Sequence, residues 1–220
     1  VILEVAVGSY GANAWIDVAD KADVDTVLTA IDDEDCEQAP EQLYARSYDA
    51  GDVRRIELFS HDTYYTSLPD VVLFLLRRTG VVIRAFIALD HDEYGAEHIV
   101  LATLDGRVRR VHHSYVYPRF FGLWPYREGS PWRTDVATIG RERGGFTGRL
   151  VDGPSARSAL ARLYAVPLPE IHAAGRRARR SHQDLGIIGA PFEPWLDALG
   201  IEWSGPADEE PVLVRDGPRR

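Results

Sequence analysis

The pattern of apolar and polar positions is most regular in the middle of the chain. Positions 53–66 read as a strand. Ser67-Leu68-Pro69-Asp70 then opens a helix whose apolar side holds Val71, Val72, Leu75 and Leu76. Arg77 and Arg78 fall in its last turn, where cations suit the helix dipole, and Gly80 ends it. Val81 to Leu89 is almost wholly apolar, the mark of a strand buried on both faces. A polar turn, Asp90-His91-Asp92-Glu93-Tyr94-Gly95, leads into a strand from His98 to Leu104. Asp105-Gly106 is a two-residue hairpin signal, and Arg107 to Tyr117 is the returning strand.

Upstream, 1–7 and 12–18 read as short strands, with a hairpin or bulge at Gly8-Ser9-Tyr10-Gly11-Ala12-Asn13. Val24, Val27, Leu28 and Ile31 repeat at helical spacing over 21–31, with Asp20 as the N-cap. An acidic loop follows from Asp32 to Glu41. Downstream, 118–131 is an aromatic, Pro- and Gly-rich connector, and helices are expected over 154–164, 167–185 and 191–199. The Pro-rich, charged stretch 205–220 has little to bury and is expected to fray. The expected fold is α+β: an antiparallel sheet with helices packed on one face in a ferredoxin-like arrangement, then a helical C-terminal segment. The corresponding units are 1–133, 134–204 and a tail at 205–220.

Composition changes this picture in one respect. The first sixty residues hold fourteen acidic side chains against four basic ones, a net −10 in a chain whose total is −9. Five carboxylates, Asp32, Asp33, Glu34, Asp35 and Glu37, fall within six positions. With 45% hydrophobic residues the chain has a globular composition, and no apolar run reaches the length of a membrane span. Val1-Ile2-Leu3-Glu4-Val5 lacks the basic-then-apolar order of a signal peptide, so a cytoplasmic location is expected. The single cysteine, Cys36, sits between Asp35 and Glu37, which blunt its reactivity. One lysine against 24 arginines fits a GC-rich genome.

The motifs that would carry chemistry are missing one part each. The glycines at 8 and 11 follow a strand but do not spell a dinucleotide fingerprint, and strand rather than helix comes next. Gly144-Gly145-Phe146-Thr147-Gly148 is not followed by Lys-Ser or Lys-Thr. Ser60-His61-Asp62 are consecutive strand positions and cannot converge as a triad. His112 and His113 are adjacent on a strand, point to opposite faces and cannot serve one ion. The carboxylates Asp90, Asp92 and Glu93 are a non-specific acid–base cluster. No catalytic residue, cofactor or metal is therefore assigned.

The order from Arg54 to Tyr117, about a third of the chain, is strand, Pro-started helix, Gly stop, buried strand, acidic turn, strand, Asp-Gly and strand. In layout it resembles the small ferredoxin-like domains encoded in phage, plasmid and toxin–immunity loci. That resemblance implies a non-enzymatic role in binding a partner. The leading expectation is an immunity- or antitoxin-like protein whose acidic segment, with Asp17, Asp20, Asp23 and Asp25, faces a basic enzyme cleft. Tyr10, Trp15, Tyr44 and Tyr48 are its expected aromatic anchors. A second reading is a small enzyme or ligand sensor with a cleft between sheet and C-terminal helices, lined by His61, Tyr64, Tyr65, His91 and His113. A third is a regulator that holds nucleic acid with Arg176, Arg177, Arg179 and Arg180, though the net charge opposes it.

Overall fold

Alternation along one strand, β1 (Tyr10–Val18), organises the molecule. Ala12, Ala14, Ile16 and Val18 enter one apolar core, while Trp15 enters a second on the other side of the sheet. The structure is a computed structural model that describes residues 10–32, 36, 42–59, 68–91, 96–116, 150–180, 189–203 and 211–216. The chain continues through α1 (Lys21–Ile31), β2 (Gln42–Ala50), β3 (Val53–Phe59), α2 (Leu68–Arg78), β4 (Arg84–His91), β5 (Ala96–Leu104) and β6 (Arg107–Val116). Then come α3 (Pro154–Leu163), α4 (Leu168–Ala178), α5 (Glu193–Leu199) and β7 (Val212–Asp216).

The fold is α+β, with an open, antiparallel seven-stranded sheet in the order β6-β5-β4-β1-β3-β2-β7. β1 and β2 have β3 between them, and β3 and β4 have β1 between them; α1 and α2 make these two crossovers. β5 and β6 extend the sheet beyond β4, and β7 extends it beyond β2. α1 and α2 pack their apolar sides on one face of the sheet, as the helical periodicity predicts. α3, α4 and α5 cover the other face, so the sheet is the middle of three layers.

Local rules account for the element ends. Asp20 caps α1 by accepting a hydrogen bond from the Asp23 amide at 3.1 Å. Asp105 and Gly106, with φ of 52° and 67°, make the two-residue turn between β5 and β6. Gly200, with φ of 63°, ends α5 in the left-handed conformation.

Three expectations need correction. Gly11, Ala12 and Asn13 are not a hairpin but part of β1, paired with Asp90, Leu89 and Ala88 of β4. The stretch 42–50, unassigned in the hydrophobic pattern, is β2. The tail does not simply fray: Val212–Asp216 forms β7 against β2, because Val212-Leu213-Val214 supplies a short strand that β2 can pair. The segments 1–9, 60–67 and 117–149, with their expected strand ends and aromatic connector, lie outside the described residues.

Candidate functional site

Two polar clusters lie between the sheet and the C-terminal helices. The first is centred on two histidines. A bulge in β6 leaves Val111 without a partner: Leu101 pairs with Arg110 but Val100 pairs with His112. That one-residue shift places His112 diagonal to His98 on the same face. His98 Nε2 and His112 Nδ1 are 2.9 Å apart, and His112 Nε2 lies 3.0 Å from Asp152 Oδ1. Arg157, in the first turn of α3, grips Asp152 with Nε at 2.6 Å and a terminal nitrogen at 2.8 Å. Asp152 is held beside β6 by its neighbour Val151, which exchanges two 2.9 Å backbone hydrogen bonds with His113. Phe86 stacks on His98, and Trp195 of α5 tilts over both imidazoles at 4.7 and 4.9 Å.

Hydrogen-bond polarity fixes the tautomers. Burial opposes the charge of Asp152, but hydrogen bonds from His112 and Arg157 outweigh it and hold the carboxyl well below the usual range. An ionised Asp152 only accepts, so His112 Nε2 donates to it, and neutral His112 then accepts at Nδ1 from His98 Nε2. Burial, then His112 and His113, push His98 well below the ordinary histidine value. Burial likewise lowers His112, with the Asp152 hydrogen bond partly offsetting it. The result is a neutral, directional chain, His98 to His112 to Asp152, terminated by Arg157. Gly175 of α4 makes room for that terminus: a β-carbon there would stand 3.2 Å from the Arg157 guanidinium.

The second cluster is centred on Asp17. Register places Arg55 of β3 and Arg84 of β4 directly across from it on either side. Arg55 donates to both Asp17 oxygens, at 2.7 and 3.1 Å, and Arg84 Nε donates at 2.6 Å. Their remaining donors cross to the helical layer. Arg55 reaches the Gly200 carbonyl at 2.9 Å and Arg84 the Leu163 carbonyl, so each meets a carbonyl at a helix C-terminus, where a cation is favoured. The Arg84 guanidinium also lies 4.2 Å over the Tyr164 ring. Beside this cluster Glu57 is gripped by Arg46 at 2.6 Å and by Asn13 at 3.0 Å, and burial holds its carboxyl above the usual value. Burial pushes the Tyr48 phenol up to about 12.

The charged groups of both clusters are paired with one another. They tie the sheet to the C-terminal helical layer. Among the described residues no group of three or more His, Cys, Asp or Glu converges as metal ligands would.

The α1 side of the molecule is different. Val24, Val27 and Ile31 are buried, while Asp20, Asp25 and Asp32 are exposed. α1 has no basic residue in its last turn, and its C-cap is Asp32. β1 ends at Val18, whose partner is Arg54, so Asp20 lies at the same end of the sheet as the β2–β3 turn with exposed Asp49 and Asp52.

The expected anchors fare unequally. Trp15 is no surface anchor: it is 1% exposed, packed on Phe86 and Trp203, because β1 is interior and turns it into the second core. Tyr48 is buried too, and Tyr44 is half-buried, stacked on Phe59. Asp33, Glu34, Asp35, Glu37 and the Tyr10 side chain lie outside the described residues. Of the expected cleft, His61, Tyr64, Tyr65 and the His91 side chain also lie outside them. His113 does not face the C-terminal helices. As the alternation of adjacent histidines predicts, it points to the opposite side and meets Glu97 at 2.9 Å. Arg176 and Arg180 are exposed on and just past α4, whereas Arg177 bonds the Pro194 carbonyl and Arg179 its own helix at Gly175. Sequence reasoning missed Asp152 and Arg157, which carry no motif, and the pairing of Asp17 with Arg55 and Arg84, which only sheet register reveals. No protein-family model, curated protein or solved structure matches this chain.

Proposed function

We propose that the chain is a non-enzymatic protein-binding module of the immunity or antitoxin kind, which presents α1 and the acidic sequence after it to a basic cleft on an enzyme of nucleic acid or nucleotide. The observation that carries this reading is charge set against a local rule. A helix C-terminus favours cations, yet α1 is capped by exposed Asp32 and has no basic residue in its last turn. The sequence then continues Asp33-Glu34-Asp35. The dipole disfavours carboxylates at a helix C-terminus, and we read their presence here as serving a partner. Carboxylates so placed imitate phosphates and steer a cationic surface to them.

Two further points support the reading. Asp17 and Asp152 are engaged in arginine pairs between the sheet and the C-terminal helical layer, and Glu57 ties β3 to β1 and β2 within the sheet, whereas the carboxylates on the α1 side are exposed. The strand order β4-β1-β3-β2 with its two helical crossovers is that of interlocked split βαβ units, and we read it as a ferredoxin-like core enlarged by β5, β6 and β7.

The test is capture of partners from the native host at low and moderate salt, with wild type beside a variant carrying Asn or Gln at Asp32, Asp33, Glu34, Asp35 and Glu37. One stoichiometric basic protein, retained by wild type, released by salt and lost in the variant, is the expected result. Equal capture by both chains would contradict the assignment.

A further inference from the structure

We propose that His98, His112, Asp152 and Arg157 form an acid-opened latch that fastens the C-terminal helical layer to the sheet. The four groups join β5, β6, the residues before α3 and α3 itself in one line of hydrogen bonds. Trp195 brings α5 to the same point, and α5 is otherwise tied to the sheet at Gly200.

Charge counting shows why protons open it. Asp152 and Arg157 already neutralise each other. Glu97 is engaged by His113 on the opposite face. β4 and α5 stack Phe86 and Trp195 on the pair, and β4 also carries the buried carboxylate Asp90, two positions past Ala88, the residue directly across from His98. A proton added at His112 Nδ1 sets N–H against N–H across the 2.9 Å contact unless His98 moves its own proton from Nε2 to Nδ1. With that shift, or with the added proton on the far nitrogen of His98, the hydrogen bond is kept but the pair becomes a cation in a site where His98 is 3% and His112 0% exposed, and the carboxylate it is bonded to, Asp152, is already paired with Arg157. Water relieves either state only if α3 and α5 lift. The Asp17–Arg55–Arg84 cluster holds the same layer at the ends of α3 and α5. Opening is therefore a swing of the histidine side about the arginine side, and it uncovers the aromatic core around Trp195.

Hydrogen exchange read by mass spectrometry tests this on the full chain, with rates corrected for the intrinsic pH dependence of exchange. As pH falls below about 6.5, the ordinary histidine value, the amides of α3 and α5 are expected to lose protection at least tenfold while those of β1 and β4 keep theirs. The double variant His98→Gln, His112→Gln is expected to lose this pH dependence. Unchanged protection of α3 and α5 down to about pH 5, or loss in step with β1 and β4, would overturn the latch. The wild-type comparison decides the matter even where the double variant fails to fold.

Discussion

At the scale of single residues, the most consequential side chain is Asp17. It is buried, and it is the carboxylate that bonds both Arg55 and Arg84. Removing one partner of a buried ion cluster leaves the others uncompensated, a loss of about 3–5 kcal/mol. Asp17→Asn keeps the shape and removes the charge, so urea unfolding should show a drop of that order, with loosening first where Arg55 and Arg84 meet Gly200 and Leu163. A drop under about 1 kcal/mol, the scale of an exposed pair, would mean that the arginines find other partners. This residue also shows what sequence can and cannot disclose. Its position in β1 was legible from alternation, and its charge pointed outward to a partner. Its actual partners depend on β3 and β4 flanking β1, which no local pattern encodes.

At the scale of elements, α1 holds its boundaries, cap and buried stripe as read from periodicity, because a capped amphipathic helix is a local object. Its charge distribution is the unusual feature. Asp32→Arg reverses an unfavourable charge at the C-terminus and should stabilise the chain by about 0.3–1 kcal/mol, seen as a raised urea midpoint, while weakening partner capture. Lower stability would show that Asp32 serves the fold and not a partner. The β5–β6 hairpin marks the limit of legibility. Asp105-Gly106 predicts the turn, and simple counting from it would set His98 opposite His113. The bulge at Val111 advances the register by one and brings His112 to His98 instead. Bulges carry no reliable sequence mark, so the histidine chain could not be read. β7 was missed because five residues among prolines and charges form a strand only when β2 is there to pair. In β1, Gly11 looked like a turn, yet hydrogen bonding to β4 draws it into the strand.

At the scale of the whole molecule, the two polar clusters give stability a definite pH profile. His98 and His112 have folded values below the ordinary one, so the unfolded chain binds protons that the native chain refuses. Their contribution is fully present above about pH 6.5 and is lost as pH falls from there toward the lowered folded values. Asp152 adds loss in the same direction only at lower pH, in the carboxylate range, and Glu57, whose value is raised, acts there in the opposite sense. Urea midpoints should therefore decline between about pH 6.5 and 5, before the carboxylates titrate; a flat profile there would show that the histidines are hydrated in solution.

The helices on the two faces divide the molecule's work: the C-terminal layer is fastened by buried ion pairs and imidazoles, and the α1 side presents carboxylates. The central claim is that these carboxylates meet a basic partner. Its most direct test is the association rate of the captured partner, measured across ionic strength for wild type and for a variant with Asp33→Asn, Glu34→Gln and Asp35→Asn. The expected result is at least tenfold slower association of the variant at low salt, with a flatter salt dependence and an unchanged fold. Equal rates and equal salt slopes would contradict the claim and leave the acidic run a solvated surface.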